Sequence, residues 1–212
     1  MRYMEENLDL KLENVLQIMQ RRIVRKTSYL GIHTTKSPLD LWIYQEIIFE
    51  TRPDVIIEIG CGCGGGCLYL ANICESIGIG KILGIDISLR KVPEMVFSHP
   101  RIKLIEGDAC LIVDKVRELV FNCKKILLIE DSSHTYENTL VLLNLYSPLV
   151  NPGSYYIVED SNSHHGVNQG PHPGAYEAID AFLSGNNDFE SDRERESFLI
   201  TWNPKGYLRR KL

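Results

Sequence analysis

Between residues 55 and 160 the chain alternates between short apolar, β-branched runs and longer stretches of helical periodicity, and this restricts its fold more than any other feature. The runs are VIIEI (55–59), KILGID (81–86), IKLIEG (102–107), KILLIED (125–131) and SYYIVED (154–160). Helical patterns fill most gaps: CLYLANICESIG, ACLIVDKVRELVF and YENTLVLLNLYSPLV, with a weaker stretch at 87–100 that Pro93 interrupts. Runs that are apolar on both faces need cover on both faces, so the alternation predicts βαβ units and a mostly parallel, doubly wound α/β sheet. The end of the chain, with a helix AYEAIDAFLSG and then extended runs DFESD and SFLITWN, predicts an antiparallel hairpin at one edge.

Two helices are expected ahead of the first strand. Leu8, Leu12, Val15, Leu16, Met19 and Ile23 fall at helical spacing, and Ser37-Pro38 supplies an N-cap and a first-turn proline for a helix ending before Arg52-Pro53. The 212 residues suit one domain, with N-terminal helices over 1–52 and an α/β core over 53–212. A net charge of −5 gives no general attraction to nucleic acid. No stretch reads as a signal peptide or membrane span, which places the chain in the cytoplasm as an expectation. The apolar face of residues 8–23 serves either self-association or docking onto the chain's own domain.

Chemistry concentrates behind the first strand, in EIGCGCGGGC (58–67). A strand ending in Glu58, then Gly60, Gly62 and Gly64, then a helix, makes a turn that a ligand can approach closely because no Cβ stands in the way. Asp86 ends the next strand, where a carboxylate can accept from both hydroxyls of a ribose. Gly60, Gly62 and Gly65 also match the dinucleotide fingerprint, so a nicotinamide cofactor and another adenosine-containing cofactor both remain open. Four of six cysteines crowd into residues 61–74. Without a second paired set of ligands they read as small side chains beside glycines rather than as a zinc site.

Two further strands end in adjacent acids, in LLIED and YYIVED. In a parallel sheet Asp131, Glu159 and Asp160 then meet at the same edge as Gly60 and Asp86, and an all-oxygen set with open positions suits Mg²⁺. His134, three residues after Asp131, is a candidate to take a proton from a substrate hydroxyl. The loop DSNSHHGVNQGPHPG (160–174) offers His164, His165 and His172 as substrate contacts, or, with Asp160, as ligands of a non-haem iron.

The E-x-G-x-G-x-G pattern from Glu58 resembles the first motif of class I S-adenosylmethionine-dependent methyltransferases. The blocks KSPLDLWIYQEIIFETRPDVIIEIG, DSSHTYENTLVLLNLYSPLVNPGSYYIVED and FLITWNPKGYLRR resemble the cephalosporin hydroxylase/rhamnosyl O-methyltransferase family from Gly31 onward. This resemblance implies a Rossmann-like methyltransferase fold and S-adenosylmethionine held by Glu58, Gly60, Gly62, Gly64 and Asp86. It adds Gly107 and Asp108 of the EGDA block, and Asp131, to the cofactor set. It further implies Mg²⁺ on Asp131, Glu159 and Asp160, His134 as general base with Asp131 also at the reacting centre, and a small hydroxylated acceptor such as a sugar. Homo-oligomers are expected from the same likeness, and an oxygenase or a non-catalytic accessory protein are the rival readings.

Overall fold

The computed structural model describes residues 3–212; residues 1 and 2, the start of the expected 1–212 domain, lie outside the described residues. The elements, in order, are α1 (Leu12–Lys26), β1 (Ser28–Tyr29), β2 (Ile32–His33), α2 (Pro38–Thr51), β3 (Val55–Ile59), α3 (Gly65–Ser76), β4 (Lys81–Asp86) and α4 (Glu94–Phe97). They continue with β5 (Ile102–Glu106), α5 (Val113–Val120), β6 (Ile126–Glu130), α6 (Tyr136–Tyr146), β7 (Tyr155–Val158), α7 (Ala175–Gly185), β8 (Phe189–Ser191) and β9 (Tyr207–Arg210). No described helix is long and apolar enough to cross a membrane.

Seven strands form one sheet in the order β5-β4-β3-β6-β7-β9-β8. β3 to β7 are parallel, while β9 runs antiparallel to both β7 and β8. The apolar runs at 55–59, 126–129 and 155–158 are buried throughout, and their residues alternate between two cores. Val55, Ile57, Leu128 and Tyr156 face α5, α6 and α7; Ile56, Leu127, Ile129 and Ile157 face α2 and α3. A strand with period-two side chains and no polar face requires this two-sided cover.

The antiparallel edge is present, but its second strand is not where the extended run SFLITWN predicts it. Residues 197–203 are irregular and β9 forms from GYLRR. Trp202 turns inward to pack with Leu16 and Ile23 of α1, and Thr201 and the Trp202 amide hydrogen-bond to Asp40 of α2. The second of these bonds occupies a backbone amide that a strand would need for its ladder. Of the N-terminal apolar face, Leu16 and Ile23 dock on the domain, whereas Leu12 stays largely exposed and Leu8 precedes the helix and is 73% exposed. The sequence reading also passes over the β1–β2 hairpin. Its central residues, Leu30 and Gly31, both have positive φ (48° and 83°), the requirement of a tight two-residue hairpin turn. It delivers residues 33–36 to the site.

Candidate active site

The sheet reverses its strand order between β3 and β6, so a crevice opens beyond their carboxyl ends. Ladder bonds continue one residue past the strands: Gly60 donates to the Ile85 carbonyl, Asp131 to Ile59 and Glu159 to Glu130, at 2.8, 2.8 and 2.9 Å. This brings Gly60, Asp86, Asp131 and Glu159 to one level. A cavity of about 520 Å³ lies there, lined among others by Gly60, Gly62, Asp86, Gly107, Asp108 and Asp131 of the expected cofactor set, and by His134 and Asp160.

The glycines serve different ends. A Cβ on Gly60 would stand 1.9 Å from the Asp131 carbonyl oxygen, so the neighbouring strand end excludes it. At Gly62, with φ +55°, a Cβ would meet nothing within 4 Å, and the residue borders open cavity. Asp86 holds the loop: one carboxylate oxygen accepts from the Gly62 amide at 2.8 Å and the other from Ser88 at 3.0 Å.

Glu58 and Gly64 do not line this cavity. Gly64 packs toward Val92 and Val96 at the start of α3, in a left-handed conformation. Glu58 is buried and faces Lys36, as the alternation of a strand directs. Gly65 and Gly66 are small for a related reason, since side chains there would collide with Thr34, Lys36 and Glu58. Cys61, Cys67 and Cys74 are buried packing residues, all six cysteines are free, and the Cys61 contact, followed by burial, pushes the Cys67 thiol up. Their role is that of small side chains.

Lys36 is the functional residue that the sequence reading misses. It lies in the segment leading from β2 into α2, 5% exposed, with its ammonium 2.6 Å from Glu159, 2.8 Å from Asp131 and 3.0 Å from Glu58. The only sequence signal is its place beside Ser37-Pro38, because the contacts span 22 to 123 positions. Burial opposes its charge, yet Asp131, Glu159 and Glu58 outweigh burial and hold the amine well above its ordinary range.

On the cavity side, Asp131, His134 and Asp160 each offer a ligand atom, all within 4.8 Å of one another. His134 Nε2 lies 3.5 Å from Asp160 and 3.7 Å from Asp131, and its Nδ1 is buried without a partner. Both His134 and Asp160 adopt left-handed backbone (φ 56° and 54°), a strained conformation that concentrates at functional sites. Burial pushes Asp131 and Asp160 each up to about 6, and Glu159 up to about 8. Burial lowers the His134 pKa, but Asp160 and Asp131 outweigh it and raise the value overall. A cluster of acids in this condition favours a bound cation or shared protons. Glu159 is the member that turns away, held by Lys36.

The three loop histidines do not converge on Asp160, as an iron site there requires. His165 bonds Glu177 at 2.7 Å and stacks on Tyr176, His164 bonds the Gly170 carbonyl, and His172 is largely exposed. His164 and His165 hold the loop in place instead.

The family model for rhamnosyl O-methyltransferase/CmcI matches residues 21–211. The rhamnosyl O-methyltransferase of Mycobacterium tuberculosis is 38% identical over 190 residues, covering 86% of this chain and 78% of that protein. The enzyme of the same description in Mycobacterium leprae is 38% identical over 192 residues, covering 87% and 83%. A CmcI structure containing Mg and S-adenosylmethionine superposes with a TM-score of 0.67 at 21% identity, over 88% of this chain and 77% of that one, a likeness of fold. Fold, crevice and a match over nine-tenths of the sequence agree: the chain belongs to the rhamnosyl O-methyltransferase/CmcI family.

Proposed function

We propose that this protein is an S-adenosylmethionine- and Mg²⁺-dependent O-methyltransferase that methylates a hydroxyl of a sugar or sugar-bearing natural product. The observation that carries this reading is the continuity of one cavity from the Gly60–Gly62 turn and Asp86 to the Asp131, His134 and Asp160 cluster. Its volume of about 520 Å³ lies within the range of cofactor pockets. The relatives named as rhamnosyl O-methyltransferases support the acceptor class, and the CmcI complex supports the cofactor and the metal.

The Gly60–Gly62 turn would lie under the methionine part of the cofactor, Asp86 would hold the ribose and Asp108 would border the base, and all of them line the one cavity. Asp131 and Asp160, with Glu159 beside them, would hold Mg²⁺, whose preference for carboxylate oxygen this set meets. The ion, when bound, supplies Lewis acidity that makes the acceptor hydroxyl easier to deprotonate. His134 in its neutral form takes the hydroxyl proton at Nε2, the nitrogen that faces Asp131 and Asp160. The acceptor oxygen attacks the methyl carbon, the carbon–sulfur bond breaks as the carbon–oxygen bond forms, and S-adenosylhomocysteine leaves. Alignment of oxygen, carbon and sulfur is what the crevice contributes, worth up to about 7–11 kcal/mol in the best intramolecular cases.

The test is calorimetric titration of metal-stripped and Mg²⁺-loaded protein with S-adenosylmethionine, followed by mass spectrometry of a rhamnoside acceptor. Saturable binding, with a chelator-sensitive gain of one methyl group, is the expected result. Absence of cofactor binding in both metal states sinks the reading, and transfer that survives chelation sinks its metal half.

A further inference from the structure

His134 and Asp160 line a second cavity, of about 300 Å³, on the side of the cluster away from Asp86. They are the residues the two cavities share. One wall is Gln20 of α1; the other is the loop after β7, through Asn162, Ser163, Val167 and Gln169. α1 is held against this loop by Leu16, whose Cδ1 lies 3.2 Å from where a Gly166 Cβ would be, and by the packing of Leu16 and Ile23 on Trp202.

We infer that this cleft is the acceptor subsite and that it selects a neutral, polyhydroxylated ring, with Asn162 and Gln169 as specificity-determining residues. The inference rests on the methyltransferase reading, in which donor and acceptor meet from opposite sides of His134. Three observations carry it. Beside the apolar Val167 and Pro171, the wall presents the amides of Gln20, Asn162 and Gln169 and the Ser163 hydroxyl, groups that donate to and accept from sugar hydroxyls alike. The cleft contains no Lys or Arg, and its one imidazole, His134, already faces Asp160 at the inner end, so a phosphate or carboxylate finds no unpaired cation. Asn162 is only 4% exposed, and its side-chain amide nitrogen has no hydrogen-bond partner, a deficit that a ligand hydroxyl would fill. The volume suits one ring of a substrate, since it lies at the low end of the range for ligand pockets.

The experiment uses methyl rhamnopyranoside as the probe, with saturation-transfer NMR for binding and steady-state kinetics for turnover. In the wild type the ring protons receive saturation in the presence of S-adenosylhomocysteine. Asn162→Leu raises acceptor KM about tenfold or more, the size expected for leaving one hydrogen bond to a buried group unmade, and the exposed-site variant Gln169→Ala raises it about two- to tenfold, the size of one ordinary hydrogen bond. Their affinity for S-adenosylmethionine, measured by calorimetry, stays within twofold. An acceptor KM unchanged in Gln169→Ala and in folded Asn162→Leu overturns the inference, as does wild type that binds S-adenosylmethionine yet shows no saturation transfer. Failure to bind S-adenosylmethionine overturns the methyltransferase reading itself, and this inference with it.

Discussion

The ammonium of Lys36 lies 2.6 Å from the carboxylate of Glu159, 123 residues away, in a buried contact that also includes Asp131. The lysine therefore balances acids that a metal site would otherwise have to carry uncompensated. Replacing it with an apolar side chain leaves Glu58, Asp131 and Glu159 without their cation. Lys36→Met is expected to cost about 3–5 kcal/mol, as other broken buried pairs do. For a chain of this size that is a fall in Tm on the order of 10 °C. Mg²⁺ should recover more of the loss in the variant than it adds to wild type. Scanning calorimetry with and without Mg²⁺ checks this, and equal Tm values would show the contact to be dispensable.

His134 faces both acids from a strained backbone position, and its other ring nitrogen is committed to nothing. If it is the proton acceptor, as proposed above, its loss should appear in turnover. His134→Ala is expected to lower kcat about 10²–10⁴-fold, the usual contribution of a positioned base, with cofactor affinity within twofold. A variant whose KM rises while kcat holds would reassign the residue to binding.

Gly60 and Gly62 separate packing from ligand approach. Gly60→Ala places a Cβ 1.9 Å from a backbone carbonyl oxygen that the sheet holds in place, so little soluble, folded protein is expected. Gly62→Ala meets no neighbour and bears only the strain of a positive φ, about 1–2 kcal/mol. It should fold and lose cofactor affinity. Circular dichroism with calorimetric titration distinguishes the two, and the reverse ranking would contradict the loop geometry.

Glu177 gives a pH dependence away from the reacting groups. Burial works against its charge, but the Gly174 amide at 2.8 Å and His165 at 2.7 Å bring its pKa from an ordinary 4.5 down to about 2. A lowered acid stabilises the fold above its unfolded value, and the contribution disappears as pH falls from about 4.5 toward 2. Glu177→Gln, whose amide oxygen still accepts from the Gly174 amide at the start of α7 but carries no charge, should unfold at lower urea than wild type near neutral pH. The gap should close at the acid end of that window. A gap that persists there unchanged would mean that the charge contributes nothing.

The strand-end acids were legible because they follow apolar runs directly, and so was the turn at Gly60–Gly64. Which acid of each pair faces the crevice was not. Asp131 lines the cavity, whereas its neighbour Glu130 is buried and accepts from Ser132 and Thr139. Asp160 faces His134, and Glu159 faces Lys36. Likewise the loop histidines looked chemical in composition, yet their partners are Glu177, Tyr176 and a backbone carbonyl.

By itself the sequence determined the layered α/β sheet, the family and the position of the crevice, because apolar periodicity and turn residues are local and act through their immediate neighbours. Only tertiary structure decided the Lys36 contact, the inward turn of Trp202 that moves the last strand to Tyr207–Arg210, and the amide-lined cleft between α1 and the loop after β7. Those features join segments up to 182 residues apart, as between Gln20 and Trp202. Their energy comes from burial and charge compensation between groups that no local pattern brings together.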